Sequence, residues 1–447
     1  MFGIRYNLSI VDYGKFRTLL ESGDTLMELE LAYGQTNLIL DIPDKHLQAI
    51  VFAGKSPRQD MNTDLVQQAL SFPKNSQTLS ELVREKAAQN AVIVVNDITR
   101  PTPYQEMLPP ILRELNAAGL REEQITLLIA TGIHRPQTEE EHHRVFGEEI
   151  SSRYRIINHN CDLNLASVGV LSTGRELYIN KYAAQTDLLI TTGLVGLHYF
   201  AGYSGGRKSI LPGIASRSLI EANHKMMDDP RACLGNYQDN PVSDLMLEAA
   251  QVAGVDFILN VVTGSHHEIV YASAGHVYDA WVDAVRFAEE MSVVPLAVQA
   301  DIVIASCGGY PKDLNMYQAQ KALDSAALAV KDGGAIILLA ECSEGLGEDT
   351  FAEWMLAATC IEDVERRFFE QFQLGGHKAY AICRTLQQAD IYLYSSMTDS
   401  TVQQMFIEPV HDLQDLLSQL LAQYGPQASI LILPEAPKIA AKLGGGE

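Results

Sequence analysis

Short runs of apolar residues, each followed by a segment of helical periodicity, recur along most of the chain. The runs lie at 91–95, 125–129, 187–190, 301–305, 335–339, 390–393 and 429–433. Continuous apolar strands that alternate with helices are typical of parallel sheets buried on both faces. The pattern therefore predicts an α/β fold with mostly parallel sheets.

Two further features divide the chain. Residues 25–42 alternate partly between apolar and polar around Tyr33, Gly34 and Gln35, which predicts a small N-terminal β-hairpin. The strand–helix rhythm restarts beyond about residue 275. We expect two Rossmann-like domains, an N-terminal catalytic and cofactor-binding domain at 1–275 and a C-terminal domain at 276–447. Because ligand sites are common between domains, we expect the active site in the interdomain cleft.

Each of the first three strands ends in a polar loop. Asp97 to Pro101 follow the first strand, Thr131 to Pro136 the second, and a longer loop that runs to Lys208 the third. Open α/β sheets bind ligands beyond the carboxyl ends of their strands. The three loops therefore define one candidate site.

The charge balance limits the partners. The chain has 33 basic and 56 acidic residues, a net charge of −23. Most of the surface should repel a phosphate backbone, so nucleic acid is not an expected partner. An anionic substrate must then be captured by basic side chains within a local pocket.

Targeting signals are absent from the sequence pattern. The first residues lack the basic stretch and apolar run of a secretory signal, and no apolar stretch reaches about 18 residues. We expect a cytoplasmic protein that is not in a membrane. The six cysteines form no Cys-x-x-Cys pair, which argues against zinc or redox motifs. The sequence leaves the oligomeric state open, a homo-oligomer included.

A glycine-rich loop at 198–209 is the most unusual segment. Gly205 and Gly206 allow backbone N–H groups to approach an anion, as in a phosphate cradle. The polar groups of such a cradle would come from Ser204, Arg207, Lys208 and Ser209. The segment matches neither a Walker A loop nor a G-x-G-x-x-G fingerprint. A tight turn with a solvated lysine explains the same letters equally well.

Three histidines are candidates for chemistry. His134 and His198 each follow a different strand end, so they can face one ligand from two sides as acid and base. His224 follows a predicted helix at 216–223, sixteen residues after Lys208. A single histidine is more often a surface or core residue than a metal ligand.

Charged and polar residues suggest a carboxylate site. Arg100 can bind a carboxylate with its planar guanidinium, and Asp97 can orient a histidine or neutralise a cofactor charge. An ordinary surface ion pair is the alternative. In the second half, Tyr317, Gln318 and Lys321 lie near the start of a predicted helix, where an anion is favoured, although a solvated helix explains them too.

Together these motifs resemble the nickel-pincer-nucleotide lactate racemase family, and the similarity extends from about residue 10 to 437. The matching motifs are D-I-T-R-P at 97–101, T-G-x-H-R-P at 131–136, H-Y-x-A-G-Y-S-G-G-R-K at 198–208, A-N-H at 222–224 and Y-Q-x-x-K at 317–321. The resemblance implies a racemase or epimerase of a small 2-hydroxy acid. It also implies proton-coupled hydride transfer to and from a nickel-pincer nucleotide that separate biosynthetic enzymes supply.

The resemblance assigns a role to each candidate. Lys208 would be the covalent tether of the cofactor, and His224 would be the nickel ligand. His134 and His198 correspond to the acid/base pair, and Arg100 and Lys321 to a carboxylate clamp. Supporting positions are Asp97, Ser204, Gly205 and Gly206 for the cofactor and Tyr317 and Gln318 for the substrate.

One residue departs from the family pattern. Tyr380 lies near the position where lactate-acting members carry a tryptophan. A hydroxyl there favours a more polar substrate than lactate, and pocket differences of this size change preference by about 1–3 kcal/mol.

Two other functions fit part of the pattern. A lysine Schiff-base enzyme would use Lys208 on a carbonyl substrate or on pyridoxal phosphate, and its nickel content would distinguish it. A non-catalytic nucleotide or nickel carrier would keep Lys208 and His224. The presence of both His134 and His198 argues against such a carrier.

Overall fold

A computed structural model of the chain describes residues 16–21, 24–54, 64–264 and 267–444. It divides into two compact units. We call residues 55–291 the N-unit, and residues 1–54 together with 292–447 the C-unit.

The elements alternate between strands and helices for most of the chain. The strands are β1 (Phe16–Glu21), β2 (Asp24–Tyr33), β3 (Thr36–Pro43), β4 (Leu47–Ile50), β5 (Ala91–Asn96), β6 (Ile125–Ala130), β7 (Arg155–Asn158), β8 (Leu165–Val170), β9 (Glu176–Asn180), β10 (Leu188–Leu194), β11 (Leu197–His198), β12 (Gly202–Tyr203), β13 (Phe257–Thr263), β14 (Ile269–Gly275), β15 (Val293–Leu296), β16 (Ala300–Ser306), β17 (Val330–Leu339), β18 (Ala389–Tyr394), β19 (Glu408–Val410), β20 (Ile430–Leu433) and β21 (Ala440–Leu443). The helices are α1 (Leu65–Ser71), α2 (Leu79–Glu85), α3 (Tyr104–Ala117), α4 (Glu139–Phe146), α5 (Glu148–Arg153), α6 (Lys181–Ala184), α7 (Arg217–Lys225), α8 (Pro241–Val252), α9 (Asp279–Ser292), α10 (Met316–Ala329), α11 (Asp349–Ala357), α12 (Ile361–Glu370), α13 (Gly376–Gln388), α14 (Asp399–Gln403) and α15 (Leu413–Tyr424).

The N-unit is built on a six-stranded sheet of order β14-β13-β10-β5-β6-β7. All neighbours pair in parallel except β14, which is antiparallel to β13. The three strands predicted in this half are β5, β6 and β10, which lie side by side as expected. Strands β6 and β7 follow β5 towards one edge of the sheet, whereas β13 and β14 follow β10 towards the other edge. The order therefore reverses between these two strands, the position where open α/β sheets bind ligands.

The sequence explains how this sheet is covered. Residues Ala91 to Val95 of β5 are all buried, as the continuous apolar run predicted. Helix α3 buries an apolar face that includes Tyr104, Leu108 and Ile111, and these side chains join the strand residues in one core cluster.

The C-unit contains a second six-stranded sheet, of order β19-β18-β17-β16-β20-β4. Its pairings are all parallel. The four strands predicted in this half are β16, β17, β18 and β20, and the structure confirms them. Both sheets thus bear out the α/β prediction.

The predicted N-terminal hairpin is confirmed as β2 and β3, which pair antiparallel around Gly34 at φ +52°. A second antiparallel partner, β1, flanks β2. Leu29, Leu31 and Ile42 of the hairpin share a core cluster with Ile302 and Ile304 of β16. The hairpin therefore covers the sheet of the C-unit, although it lies far from β16 in the sequence.

The units divide the chain at different positions from the predicted boundary at 275. Residues 1–54 group with the C-terminal part, because β4 pairs with β20 and the hairpin packs on β16. Most of α9 groups with the N-unit, since Trp281 is buried there and donates a hydrogen bond to the backbone O of Ser204. Among the described residues, no helix is long and apolar enough to cross a membrane.

Candidate functional site

A hydrogen bond joins the loops that follow β5 and β6. Nδ1 of His134 lies 2.6 Å from Oδ2 of Asp97, which is buried, whereas the His134 side chain is about half exposed. Burial alone would raise the pKa of Asp97, but hydrogen bonds from His134 and Thr99 outweigh it and the pKa is lowered. Asp97 is therefore an acceptor, His134 donates from Nδ1, and Nε2 is the acceptor of the neutral His134 ring.

His198, at the end of β11, lies in a different environment. Its Nδ1 accepts a hydrogen bond from the backbone N–H of Ala201 at 3.3 Å, and its ring meets the edge of Phe200 at 4.6 Å between centroids. Burial lowers the pKa of His198 well below its ordinary value, and the charges of Lys208 and Arg100 lower it further. His198 is therefore a neutral ring whose proton is on Nε2 in the resting protein.

Lys208 lies in a short 3-10 turn, Gly206–Ser209, at the end of the glycine-rich loop. The residue is partly accessible, and its Nζ lies 5.8 Å from the centroid of the buried Phe200 ring. Burial lowers its pKa well below the ordinary value, and the charges of Arg100 and Arg207 act in the same direction. A lowered pKa favours the unprotonated amine, which is the nucleophilic form of lysine.

His224 lies in the last turn of α7, not after the helix as the sequence suggested, because the helix continues to Lys225. Its side chain is buried, and Nδ1 lies 2.9 Å from the backbone O of Ile220. Burial, followed by the charge of Lys208, lowers the pKa of His224 to about 3. With Nδ1–H donating to a carbonyl, Nε2 carries the lone pair of the neutral ring.

One residue that the sequence analysis did not single out connects these groups. The Phe200 ring lies 4.6 Å from His198 and 5.0 Å from His224 between centroids, and 5.8 Å from Nζ of Lys208. Phe200 is itself buried. The sequence signal that points to Phe200 is its position between His198 and Lys208 in the same motif. The structure thus brings His198, Lys208 and His224 together around one aromatic ring.

The predicted cradle residues hydrogen-bond within the protein. The Ser204 hydroxyl donates to the backbone O of Leu194 at 2.7 Å, and the N–H of Gly206 donates to Oδ1 of Asn260 at 2.9 Å. Gly205 has φ +129°, and a Cβ there would lie 2.5 Å from the Trp281 ring. These three residues shape the loop that carries Lys208.

In the C-unit, the predicted substrate residues lie on the first turns of α10. The Asn315 side chain caps this helix by accepting from the N–H of Gln318. Nζ of Lys321, which is exposed, donates to Oε1 of Gln318 at 2.9 Å. Lys378, which sequence reasoning missed, donates to the backbone O of Tyr317 at 2.5 Å, and its Nζ lies 4.0 Å from the Tyr317 ring.

Tyr380 is on α13, two residues after Lys378, and only 4% of it is exposed. Its ring stacks on Phe368 of α12 at 3.9 Å between centroids and meets the edge of Phe369. The structure therefore places Tyr380 in the packing between two helices of the C-unit.

Within the described ranges, no group of three or more His, Cys, Asp or Glu side chains is arranged to hold a metal ion. A metal bound at His224 would therefore need further ligands from another source.

Comparison with known proteins gives matches along nearly the whole chain. A family model described as the lactate racemase N-terminal domain matches residues 33–235, and one described as the lactate racemase C-terminal domain matches residues 296–439. A lactate racemase of Thermoanaerobacterium thermosaccharolyticum is 35% identical over 431 residues, and one of Lactiplantibacillus plantarum is 32% identical over 435 residues. Each alignment covers 93% of this chain and 100% of the relative.

Solved structures agree with these matches. The structure of the lactate racemase apoprotein from T. thermosaccharolyticum superposes with a TM-score of 0.85 at 34% identity, and covers 93% of this chain and 100% of that one. A Thermotoga maritima protein superposes with a TM-score of 0.60 at 20% identity, over 88% of this chain and 100% of that one, which is a likeness of fold.

Proposed function

The chain belongs to the lactate racemase family, and on that premise we propose that it racemises or epimerises a small 2-hydroxy acid with a nickel-pincer nucleotide as its cofactor. The observation that carries this proposal is the convergence of Lys208, His198 and His224 around Phe200. His198, Phe200 and Lys208 lie in the segment that follows β10, at the point where the strand order of the sheet reverses, and His224 reaches them from α7.

The residues present fit such a cofactor. The lowered pKa of Lys208 suits a covalent tether, since it favours the unprotonated amine and only that form attacks an acyl-type carbon. The Nδ1–H of His224, fixed on the carbonyl of Ile220, favours ligation through Nε2, which is how metal-binding histidines are usually oriented. The remaining nickel ligands would come from the cofactor itself, as the resemblance to the family implies. When bound, the cofactor supplies an electron-poor pyridinium ring that accepts a hydride and returns it.

The protein supplies proton transfer. The Cα–H of a 2-hydroxy acid is a weak acid, so inversion through a 2-keto acid needs a base to take the hydroxyl proton as the hydride leaves. His134 is prepared for this role because Asp97 fixes its Nδ1–H and leaves Nε2 as acceptor. His198 is held neutral by its burial and neighbouring charges. It is the proposed base for the opposite face once its proton moves from Nε2 to Nδ1, which gives up the 3.3 Å contact with the N–H of Ala201 and leaves Nε2 as the acceptor.

Cations bind the substrate carboxylate in this proposal. Arg100 lies in the same loop as Asp97, and a guanidinium matches a carboxylate in shape and charge. Lys321, with Tyr317 and Gln318, is the proposed contribution of the C-unit. Tyr380 is the proposed determinant of preference for a substrate more polar than lactate. The proposal also includes that the enzyme is cytoplasmic and that separate biosynthetic enzymes supply its cofactor.

A lysine Schiff-base enzyme is the second candidate, because a lysine with a lowered pKa suits that chemistry as well. The fixed tautomer of His224 favours the nickel function, since a Schiff-base enzyme has no need of a metal ligand beside its lysine.

The test is a chiral assay. Protein produced together with the cofactor-synthesis enzymes is incubated with one enantiomer of lactate or of another 2-hydroxy acid, and the products are separated by chiral chromatography. We expect interconversion in both directions for at least one acid, and none for protein produced without those enzymes. Nickel-containing protein that interconverts no 2-hydroxy acid would contradict the proposal.

A further inference from the structure

We infer that Trp281 is a positioning residue, which, together with Arg207, holds the 202–209 loop in the conformation that presents Lys208 to its cofactor. The consequence for the cofactor rests on the proposed function above. The statement about the loop does not, and it can be tested on protein without any cofactor.

Trp281 lies far from the loop in sequence but against it in the fold. It is on α9, in the interval between the two family-model matches, which end at residue 235 and begin at residue 296. Only 1% of it is exposed. Its Nε1–H donates to the backbone O of Ser204 at 2.9 Å, so the indole is bonded directly to the loop backbone.

The same ring requires a glycine at position 205. A Cβ on Gly205 would lie 2.5 Å from Cδ1 and 2.7 Å from Nε1 of Trp281, closer than side-chain contacts allow. Gly205 also has φ +129°, a conformation that other residues rarely adopt. The indole therefore packs directly against the loop backbone at Gly205, because this residue has no side chain.

Arg207 connects the indole to Lys208. Its guanidinium carbon lies 3.7 Å from the centroid of the Trp281 ring, and the side chain is fully buried. Nη2 of Arg207 donates to the Ser243 hydroxyl on α8 at 2.8 Å, and the guanidinium also lies within 3.3 Å of the backbone O of Tyr203. Burial lowers the pKa of Arg207 to about 9. A buried cation whose polar contacts include neutral oxygens gains from the face of an aromatic ring.

Because Arg207 and Lys208 are consecutive in one 3-10 turn, fixing the first restricts the second. Successive side chains of such a turn point in different directions. Arg207 is directed towards Trp281, and Lys208 is directed towards Phe200 at 5.8 Å. On the sheet side, the N–H of Gly206 is anchored on Asn260, and the hydroxyl of Ser209 on the backbone O of Thr192. Trp281 and Ser243 supply the anchors from α9 and α8.

The chain offers a matched control. Trp354 of the C-unit is also 1% exposed, donates from Nε1 to Gln373 at 3.3 Å, and has Arg367 over its ring at 4.9 Å. It also packs against a glycine, Gly376. A Trp354→Phe variant therefore removes an indole N–H hydrogen bond, here to a side-chain oxygen, from an equally buried tryptophan in the other unit.

The test is hydrogen exchange of the apoprotein measured by mass spectrometry on peptides that cover 202–209. Trp281→Phe removes the Nε1–H donor, and we expect exchange of the loop amides to rise by about fivefold or more, the factor that corresponds to one neutral hydrogen bond. Trp281→Leu also removes the aromatic face and should have a larger effect. Trp354→Phe should leave these peptides unchanged. If the Trp281 variants do not fold, the same measurement is made on Ser243→Ala, a milder change that removes an acceptor of Arg207. Exchange of the loop amides should rise in this variant as well.

Unchanged loop exchange in the folded variants, or an equal change in Trp354→Phe, would overturn the inference. The second readout is the fraction of Lys208 that carries the cofactor mass when each protein is produced with the cofactor-synthesis enzymes. If the loop exchanges faster but Lys208 carries as much cofactor as in the wild type, Trp281 has only a structural role. That result would overturn the inference that it positions Lys208. If wild-type Lys208 carries no adduct, the proposed function fails, while the exchange result still decides whether Trp281 holds the loop.

Discussion

Nδ1 of His134 is held 2.6 Å from the buried carboxylate of Asp97, whereas Nδ1 of His198 accepts from the backbone of Ala201. These hydrogen bonds therefore favour different neutral tautomers, with Nε2 the acceptor in His134 and the proton carrier in His198. A racemase needs to serve both faces of its substrate, so this difference has kinetic consequences.

Replacing Asp97 with Asn should lower kcat by about 100-fold or more, because a general base loses both its orientation and the charge that stabilises its protonated form. Nickel content should not change. Asp162→Asn, which removes the exposed partner of Arg217, is the control and should be near wild type. Steady-state kinetics and metal analysis of the two variants check this, and an unchanged kcat in D97N would contradict the role of Asp97.

Replacing either His134 or His198 should stop net racemisation in both directions, since every turnover uses one base to take a proton and the other to return one. Each variant should retain formation of 2-keto acid from the enantiomer that its surviving histidine serves, measured in a single turnover. The two variants should prefer opposite enantiomers. His198→Ala, which keeps the prepared His134, should retain the faster half-reaction. Loss of the same half-reaction in both variants would exclude the two-base arrangement.

Arg100→Ala and Lys321→Ala should each raise KM by about 10- to 100-fold, the range expected for loss of a charge-assisted contact to a carboxylate. Nickel content should stay constant. Arg121→Ala, on an exposed ion pair with Glu123, controls for the loss of one positive charge from an acidic protein. Wild-type KM values in both site variants would remove the carboxylate clamp from the mechanism.

His159 predicts a pH-dependent stability. It is buried, with Nε2 3.1 Å from the backbone O of Ala215, and burial lowers its pKa to about 4. The unfolded chain titrates near 6.5, so between about pH 6.5 and 4 the unfolded state binds the extra proton and the free energy of unfolding falls as the pH falls. The free energy of unfolding is measured by urea denaturation at pH 7.5 and at pH 5. The decrease between these two pH values should be about 2 kcal/mol smaller in His159→Gln than in the wild type. Equal pH dependence in the two proteins would show that His159 does not titrate in this way.

The sequence was sufficient for features that depend on local pattern. The apolar runs identified β5, β6, β10 and the main strands of the second sheet, and the polar loop after β10 identified His198 and Lys208, which meet around Phe200. A continuous apolar run and a polar loop after it are properties of a short stretch of sequence, and for this reason they can be recognised without tertiary information.

Features that depend on distant contacts were not predictable. The hairpin joins the C-unit because Leu29 and Ile42 share a core cluster with Ile302, which lies far from them in the sequence. Trp281 holds Ser204 across 77 positions, and nothing in the local sequence of α9 marks it. Arg207 illustrates the same limit, since a polar neighbour of Lys208 suggests a phosphate ligand, whereas the structure buries it beneath an indole.

The central claim is a nickel cofactor tethered to Lys208, and the most direct test is the intact mass of the denatured protein, measured together with its nickel content. Wild-type protein produced with the cofactor-synthesis enzymes should carry the added mass of the nucleotide on the peptide that contains Lys208, with up to one nickel per chain before denaturation. Lys208→Ala should lack the added mass, whereas Lys181→Ala, at an exposed lysine of the same unit, should retain it. Wild-type protein without added mass, or a Lys208→Ala protein that keeps it after denaturation, would contradict the account.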